Sequence, residues 1–204
     1  DDRGWNRDRN MKRDKGRLID AYGREIRSLR FSLTNRCTLN CIYCHHEGEG
    51  REKKDKKEIS AELVIAIARV ASAHFGIRKI KITGGEPLMR TDLAEIVRGM
   101  RAFEDDISVT TNGVFLSKYA ADLADAGLDR ANVSLDSLKD ERYNSITRTK
   151  NNLPKVIEGI YSAIDAGLTP LKLNMVLLKG INDDEIGDMI RFVRECNKRG
   201  GGRE

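Results

Sequence analysis

The sequence predicts an α/β fold, specifically a partial and open TIM-like barrel of about five βα units. Short apolar, β-branched runs alternate with longer segments of helical periodicity along most of the chain. The unusual loops all follow the carboxyl ends of the predicted strands, which is the edge that holds the active site in such folds. Strand–helix alternation implies parallel strands joined by right-handed crossovers, and about five units cannot close an eight-stranded barrel.

The predicted strands span residues 29–33, 79–82, 107–111, 131–135 and 171–177. Helices are expected at about 60–75, 92–103, 117–126, 154–167 and 183–196. Ser60 is a suitable N-cap for the first helix, and Gly76 is a suitable stop after it. Helical spacing predicts that the last helix points Ile186, Met189, Ile190 and Val193 inward.

Composition and charge restrict the classes of function. The 204 residues are 39% hydrophobic and 34% charged, as in a soluble globular domain. Membrane contact is not expected, because no apolar run approaches roughly eighteen residues and the amino terminus lacks a secretory signal. A cytoplasmic location follows as the prediction. The net charge of +5 favours anionic partners. Nucleic acid is not expected among them, because the mixed-sign run at 51–58 has no aromatic residue for base stacking.

Three segments are predicted along the chain. Residues 1–20 mix Asp, Arg, Asn, Lys and Gly without periodicity, which predicts a flexible amino-terminal arm. Residues 21–199 contain the predicted elements and form the expected core. Residues 200–204 form a tail, at the point where a further strand would begin, so the core is expected to be incomplete at its carboxyl terminus.

Cys37, Cys41 and Cys44 lie within TNRCTLNCIYC and have the spacing C-x3-C-x2-C. A structural zinc site needs four ligands, usually in CxxC-type pairs, and no second pair is present. A [4Fe–4S] cluster normally takes four thiolates, so three would leave one iron open to chelate a small molecule. The alternatives are a zinc site completed by His45 or His46, and three incidental thiols without a shared ligand.

Arg30, Lys81 and Lys172 are cations inside predicted strands. A charge in a strand interior must be paired or must face a wet cavity. If strand alternation turns all three inward, they line an anion-binding lumen and favour a phosphate-bearing substrate. The alternative is that they face outward between the helices and pair with carboxylates.

Five segments together resemble the radical S-adenosylmethionine (SAM) superfamily, and within it the GTP 3′,8-cyclases, which are MoaA-type enzymes of molybdenum-cofactor biosynthesis. They are LRFSLTNRCTLNCIYC, KIKITGGEPLMRTDL, ISVTTNGVFL, ANVSLDSL and LKLNMVLLKGIND. The loop HHEGEG is more similar to archaeal members, and the resemblance covers about residues 18–196. It implies a lyase that converts GTP to its 3′,8-cyclic intermediate in the first step of that pathway. It also implies a [4Fe–4S] cluster and SAM as cofactors, an electron donor as a partner, and allows a homodimer.

The resemblance implies cofactor contacts for individual residues. Tyr43 matches an aromatic residue that flanks the adenine of SAM, with core packing as the alternative. Gly84, Gly85 and Glu86 match the turn that contacts the SAM amino group, with a simple tight turn as the alternative. Ser134 matches a further SAM contact.

Substrate contacts follow in the same way. Arg30, Lys81, Thr110 and Lys172 match positions that contact GTP. Lys81 stands where bacterial relatives commonly have Arg, which keeps the charge but loses the bidentate fork. No catalytic acid–base pair is expected, because hydrogen abstraction by a radical does not require one.

The match is incomplete at the carboxyl terminus. The resembled family has a further segment with three more cysteines for a second [4Fe–4S] cluster, and this sequence contains none of it. Cys196 is predicted to be a packing residue. The expectation is a C-terminally truncated chain that cleaves SAM weakly at best. A peptide-modifying radical SAM enzyme and a non-catalytic cluster-binding fragment are the alternatives.

Overall fold

The computed structural model describes residues 16–44 and 58–201. The strands are β1 (Ser28–Ser32), β2 (Lys79–Thr83), β3 (Asp106–Thr111), β4 (Arg130–Ser134) and β5 (Lys172–Asn174). The helices are α1 (Ala61–Phe75), α2 (Leu93–Arg101), α3 (Leu116–Asp125), α4 (Asp140–Thr147), α5 (Leu153–Asp165) and α6 (Ile186–Arg199). Short 3₁₀ turns lie at Pro87–Met89 and Asp183–Glu185.

The strands form one parallel sheet in the order β1-β2-β3-β4-β5. Each strand pairs with its neighbours in sequence, so the strand order never reverses as it does in a doubly wound sheet. An unreversed parallel sheet with helical crossovers is a segment of a barrel. The predicted open, barrel-like α/β fold is therefore confirmed.

Strand alternation gives the sheet one apolar and one polar face. The apolar face consists of fully buried side chains, among them Ile80, Ile82, Ile107, Val109 and Val133. These side chains form one core with the inner residues of α1, α2, α3 and α5. The residues between them in each strand are mostly half-buried or exposed and form the opposite face. The helices therefore cover one face of the sheet and leave the polar face open.

The helix boundaries follow the predicted sequence features closely. Ser60 caps α1 by accepting a hydrogen bond from the Leu63 backbone N–H, and Gly76 ends it in the left-handed region at φ +67°. The apolar residues at helical spacing in α2, which are Leu93, Ile96, Val97 and Met100, are buried. No helix in the described ranges is long and apolar enough to cross a bilayer.

α6 begins after the predicted start and buries a different stripe. Met189, Phe192 and Cys196 are buried, whereas Ile186 and Ile190 are about half exposed, so the predicted inward stripe is wrong for those two residues. The cause lies just before the helix, where the fully buried Glu185 carboxylate accepts hydrogen bonds from α4 and the loop before it. Because positions 185, 189, 192 and 196 share one helix face, that anchor fixes which residues point inward. The predicted packing role of Cys196 agrees with its burial.

β5 is shorter than predicted, with three residues instead of the expected 171–177. The Val176 N–H donates to the Asp136 carboxylate (2.9 Å), and its carbonyl accepts from the Asn182 amide (2.9 Å). Side chains therefore take the backbone groups that would extend the strand. α4 is a further helix that was not predicted, and its carboxyl end contacts the loop that carries the three cysteines.

A small hairpin precedes β1. Ile19 and Glu25 form an antiparallel bridge, and Asp20 holds the turn by accepting from the backbone N–H groups of Tyr22 and Arg24. Residues 16–20 of the predicted arm belong to this hairpin. Residues 1–15 of the arm, 202–204 of the tail and 51–57 of the charged run lie outside the described residues.

Candidate active site

The cysteine loop, residues 33–44, leaves the carboxyl end of β1. The Leu33 N–H donates to the Thr83 carbonyl (2.9 Å), which extends the β1–β2 pairing to the start of the loop. Cys37 and Cys44 are exposed, Cys41 is half-buried, and all three thiols are free. The loop lies at the carboxyl edge of the sheet, as predicted from its position after a strand.

The GGEP turn after β2 packs directly against the cysteine loop. The Gly85 N–H donates to the Thr34 carbonyl and the Glu86 N–H to the Arg36 carbonyl, each at 2.7 Å. A Cβ on Gly84 would lie 2.6 Å from the Thr34 carbonyl oxygen, and one on Gly85 would lie 2.4 Å from that of Arg36. Gly84 also has φ +147°, in the region that favours glycine. The two glycines are therefore required for contact between the loops, and their contact with SAM stays a prediction.

Glu86 is fully buried between the GGEP turn and β3. Its carboxylate accepts hydrogen bonds from the Thr111 hydroxyl (2.7 Å), the Asn112 N–H (2.7 Å) and the Leu88 N–H (2.9 Å). Burial raises the pKa of this carboxyl group, and the three hydrogen bonds act against that shift. The side chain has no exposed surface for a ligand. What it does here is hold the end of β3 to the turn.

A second layer of charged side chains supports these loops. Arg90, only 5% exposed, pairs with Asp92 and donates to the carbonyl groups of Leu33 (3.3 Å) and Ile59 (2.8 Å). Arg36 pairs with Glu58 at 2.9 Å. These contacts fix the backbone at the start of the cysteine loop.

The far end of the loop is held by α4 and β4. The Asn40 and Ile42 N–H groups donate to the carbonyls of Thr147 and Ile146 at the end of α4 (3.0 and 2.9 Å). The half-buried Tyr43 donates its hydroxyl to the buried Asp136 carboxylate at 2.6 Å. Burial, reinforced by that carboxylate, raises the pKa of Tyr43. The Tyr43 hydroxyl therefore has a structural partner, and the predicted contact of its ring with adenine stays a prediction.

The three thiols of the cysteine loop are of the ligand type that iron–sulfur clusters require. Burial and the nearby Asp136 charge raise the pKa of the Cys41 thiol to about 11, so iron must displace its proton. Three thiolates on one zinc ion would lie about 3.8 Å apart, from a Zn–S bond of about 2.3 Å. Among residues 16–44 and 58–201, no three His, Cys, Asp or Glu side chains lie close enough to share one ion. His45 and His46, the predicted alternative ligands for zinc, lie outside the described residues.

The polar face of the sheet carries the predicted substrate residues and one predicted SAM contact, which are Arg30, Lys81, Thr110, Lys172 and Ser134. Arg30 is directly opposite Lys81 in the β1–β2 register, and Lys172 is opposite Asn132 in the β4–β5 register. Arg30, Lys81 and Lys172 are exposed, and Thr110 and Ser134 are half-buried. The sheet therefore brings together the predicted substrate residues and one predicted SAM contact.

Within the part of the chain that the structure describes, Arg30, Lys81 and Lys172 form no ion pair. The alternative, in which they face the helices and pair with carboxylates, is wrong for these residues. Arg130 lies in the same register row as Arg30 and Lys81, through Ser108, but it pairs with Asp106 at 2.6 Å. Among the described residues, an excess of positive charge is left across the middle of the polar face.

Sequence reasoning missed two residues of this region. Lys79 lies two residues before Lys81 and so on the same face, which the period of two could have indicated. Asn112, the first residue after β3, directs its side-chain amide to the cysteine loop. Its position in TTNG at a strand end was the available indication.

Comparison with known proteins identifies relatives of this chain. Residues 31–193 match the family model of the radical SAM superfamily. A probable GTP 3′,8-cyclase of Methanocella arvoryzae is 54% identical over 177 residues, which cover 87% of this chain and 56% of that relative. The GTP 3′,8-cyclase of Listeria monocytogenes serotype 4b is 47% identical over 180 residues, with 87% and 54% covered. The chain spans about half the length of the curated relatives it matches.

Solved structures agree on the fold. Streptococcus suis SuiB bound to S-adenosylmethionine superposes with a TM-score of 0.69 at 18% identity, over 85% of this chain and 38% of SuiB. SuiB bound to its precursor peptide SuiA gives the same TM-score at 19% identity, over 85% and 37%. At such identities the likeness concerns the fold alone.

Proposed function

This chain belongs to the radical SAM superfamily, and on that premise we propose that it provides the cofactor loop and the phosphate-binding face of a GTP 3′,8-cyclase. The superfamily implies a [4Fe–4S] cluster and SAM as cofactors. The observation that supports the substrate best is the set of three cations on the polar face, Arg30, Lys81 and Lys172, for which the described residues provide no ion pair. A polyphosphate is the class of ligand that such a surface suits.

Cys37, Cys41 and Cys44 would hold the cluster. When bound, the cluster supplies the electron that cleaves SAM and generates the radical. The chain's own task is to position the ligands, and the GGEP turn, α4 and Asp136 hold the cysteine loop from three sides. This rigid support is what a cofactor site requires.

SAM would lie along the carboxyl edge between the cysteine loop and β4. Gly84 and Gly85 would offer backbone groups to its amino end, because the Glu86 carboxylate is already occupied within the protein. Ser134, on the polar face at the end of β4, would make the further contact. Tyr43 would flank the adenine with its ring while its hydroxyl stays on Asp136.

GTP would place its triphosphate over the polar face. Arg30 and Lys81 lie opposite one another on neighbouring strands, and Lys172 is three strands from Lys81, roughly 14 Å at about 4.8 Å per strand. The long cationic side chains at both ends of this span can contact an elongated polyphosphate. Thr110 lies between them and can donate its hydroxyl. An electron donor and a homodimeric assembly belong to the same proposal.

Nucleotide binding by reconstituted protein tests the substrate. Each of R30Q and K172Q is expected to weaken GTP binding about tenfold or more, because a hydrogen bond to a charged group contributes about 1.5–3 kcal/mol. The matched control is K150Q, which removes a charge from an exposed loop between α4 and α5. Guanosine should bind more weakly than GTP, and the difference should shrink with added salt.

Equal affinity for guanosine and GTP would contradict the polyphosphate site, as would an effect of K150Q as large as that of R30Q. A protein that assembles the cluster and cleaves SAM without binding GTP would favour another radical SAM branch. Stoichiometric zinc with no iron–sulfur absorption after anaerobic reconstitution would instead favour a non-catalytic fragment.

A further inference from the structure

Asn112 is held in one orientation immediately after β3. Its backbone N–H donates to the Glu86 carboxylate (2.7 Å), and its side-chain oxygen accepts from the Val114 N–H (3.1 Å). The residue is 8% exposed. An Asn side chain has one acceptor end and one donor end, so occupying the oxygen on Val114 fixes the direction of the NH₂ group.

That NH₂ group faces the cysteine loop. It donates to the Thr38 hydroxyl at 3.0 Å and lies 3.7 Å from the Cys37 sulfur, a distance suited to a weak N–H···S bond. The amide has two hydrogens, so both contacts can form at once. The Leu39 N–H approaches the same sulfur at 3.4 Å. Cys37 thus receives one donor from its own loop and one from β3.

We propose that Asn112 is a positioning residue that donates a hydrogen bond to the Cys37 sulfur when the cluster is bound and raises the reduction potential of the cluster. The inference rests on the proposed cluster binding and adds to it a specific control of the potential. Hydrogen bonds to ligand sulfurs are among the features that set the potential of a cluster. Reduction adds negative charge, so an N–H donor stabilises the reduced state more than the oxidised state.

The contact to Cys37 can be removed while the other contacts of Asn112 are kept. In N112S the backbone N–H can still donate to Glu86, and a serine hydroxyl can still accept from the N–H two residues later. The shorter side chain cannot reach the sulfur. N112D keeps the length and the acceptor for Val114 but loses the donor and adds a charge. N174S is the matched control, because it makes the same change at the carboxyl end of β5, on the opposite edge of the sheet.

The test uses the full chain, reconstituted anaerobically with ferrous iron and sulfide. Iron per chain is measured first, and the potential is then measured by a dithionite titration followed by electron paramagnetic resonance without SAM. In N112S the equilibrium constant for reduction should fall about tenfold, which is about 59 mV for one electron. N112D should shift at least as far in the same direction, and N174S should keep the wild-type potential.

The outcomes separate this inference from the proposed function. A wild-type chain that takes up no cluster overturns both. A wild-type cluster combined with unchanged potentials in N112S and N112D overturns the role of Asn112 and leaves the proposed function standing. A shift in N112D alone is the effect of its added charge and also overturns the role. If N112S does not retain iron, an unchanged potential in N112D is enough to refute it.

Discussion

Replacing Gly85 with alanine tests whether the GGEP turn supports the cysteine loop. The added Cβ would lie 2.4 Å from the Arg36 carbonyl oxygen, whereas real Cβ contacts stay beyond 3.0 Å. The two backbones must therefore separate by about 0.6 Å. That shift stretches the hydrogen bonds from Gly85 to Thr34 and from Glu86 to Arg36, both 2.7 Å, to the limit of good geometry.

The expected loss of stability can be added from these parts. Two weakened hydrogen bonds account for about 1–2 kcal/mol, and the remaining overpacking for about 1–3 kcal/mol. The free energy of unfolding of G85A should therefore be about 2–5 kcal/mol lower than that of the wild type. At a urea m-value of about 2 kcal/mol per M, the midpoint falls by about 1–2.5 M.

The assay is urea unfolding together with iron content after reconstitution, since a displaced loop should also retain less iron. The control is G187A in the first turn of α6, where an added Cβ meets only the end of Arg191 at an ordinary 3.6 Å. G187A should be neutral or more stable by up to about 1 kcal/mol. A G85A protein with the wild-type midpoint and iron content would refute the argument.

Two further predictions concern buried polar groups. Glu104 is 2% exposed, its carboxylate has no hydrogen-bond partner among residues 16–44 and 58–201, and burial raises its pKa from 4.5 to about 7. Because the pKa of Glu104 is raised in the folded state, its contribution to stability is present below about pH 4.5 and is lost as the pH rises through about 7. Gln carries no titratable group, so this loss is absent in E104Q. The free energy of unfolding of E104Q should therefore rise by about 1–3 kcal/mol relative to that of the wild type between pH 5 and pH 8. Urea unfolding at both pH values measures this, and an identical difference at the two would contradict it. Asn182 is fully buried and donates to the carbonyls of Asp136 and Val176, so N182A should cost about 2–4 kcal/mol, measured by the same method. A loss under 1 kcal/mol would show that water replaces the amide.

The sequence predicted well wherever a local pattern is enough to fix a structure. Buried β-branched runs and capped amphipathic segments located the sheet and most helices, because strand and helix periodicity are properties of neighbouring residues. The predicted inward stripe of α6 was wrong for two residues because Glu185, which fixes the rotation of the helix, is held by residues 47 and 48 positions earlier. β5 was predicted too long for the same kind of reason, since Asp136 and Asn182 take the backbone groups of Val176.

The sequence by itself determined the predicted ligand set, Cys37, Cys41 and Cys44, because residue type and spacing within one segment specify it. It also determined which strands carry a cation. Only the tertiary structure decided what those residues face. It turned Arg30, Lys81 and Lys172 to one open face, used the two GGEP glycines for contact between loops, and directed Asn112 toward Cys37. Each of these three arrangements depends on the distance in space between segments that are far apart in the sequence. The spacing of residues along the chain does not specify that distance.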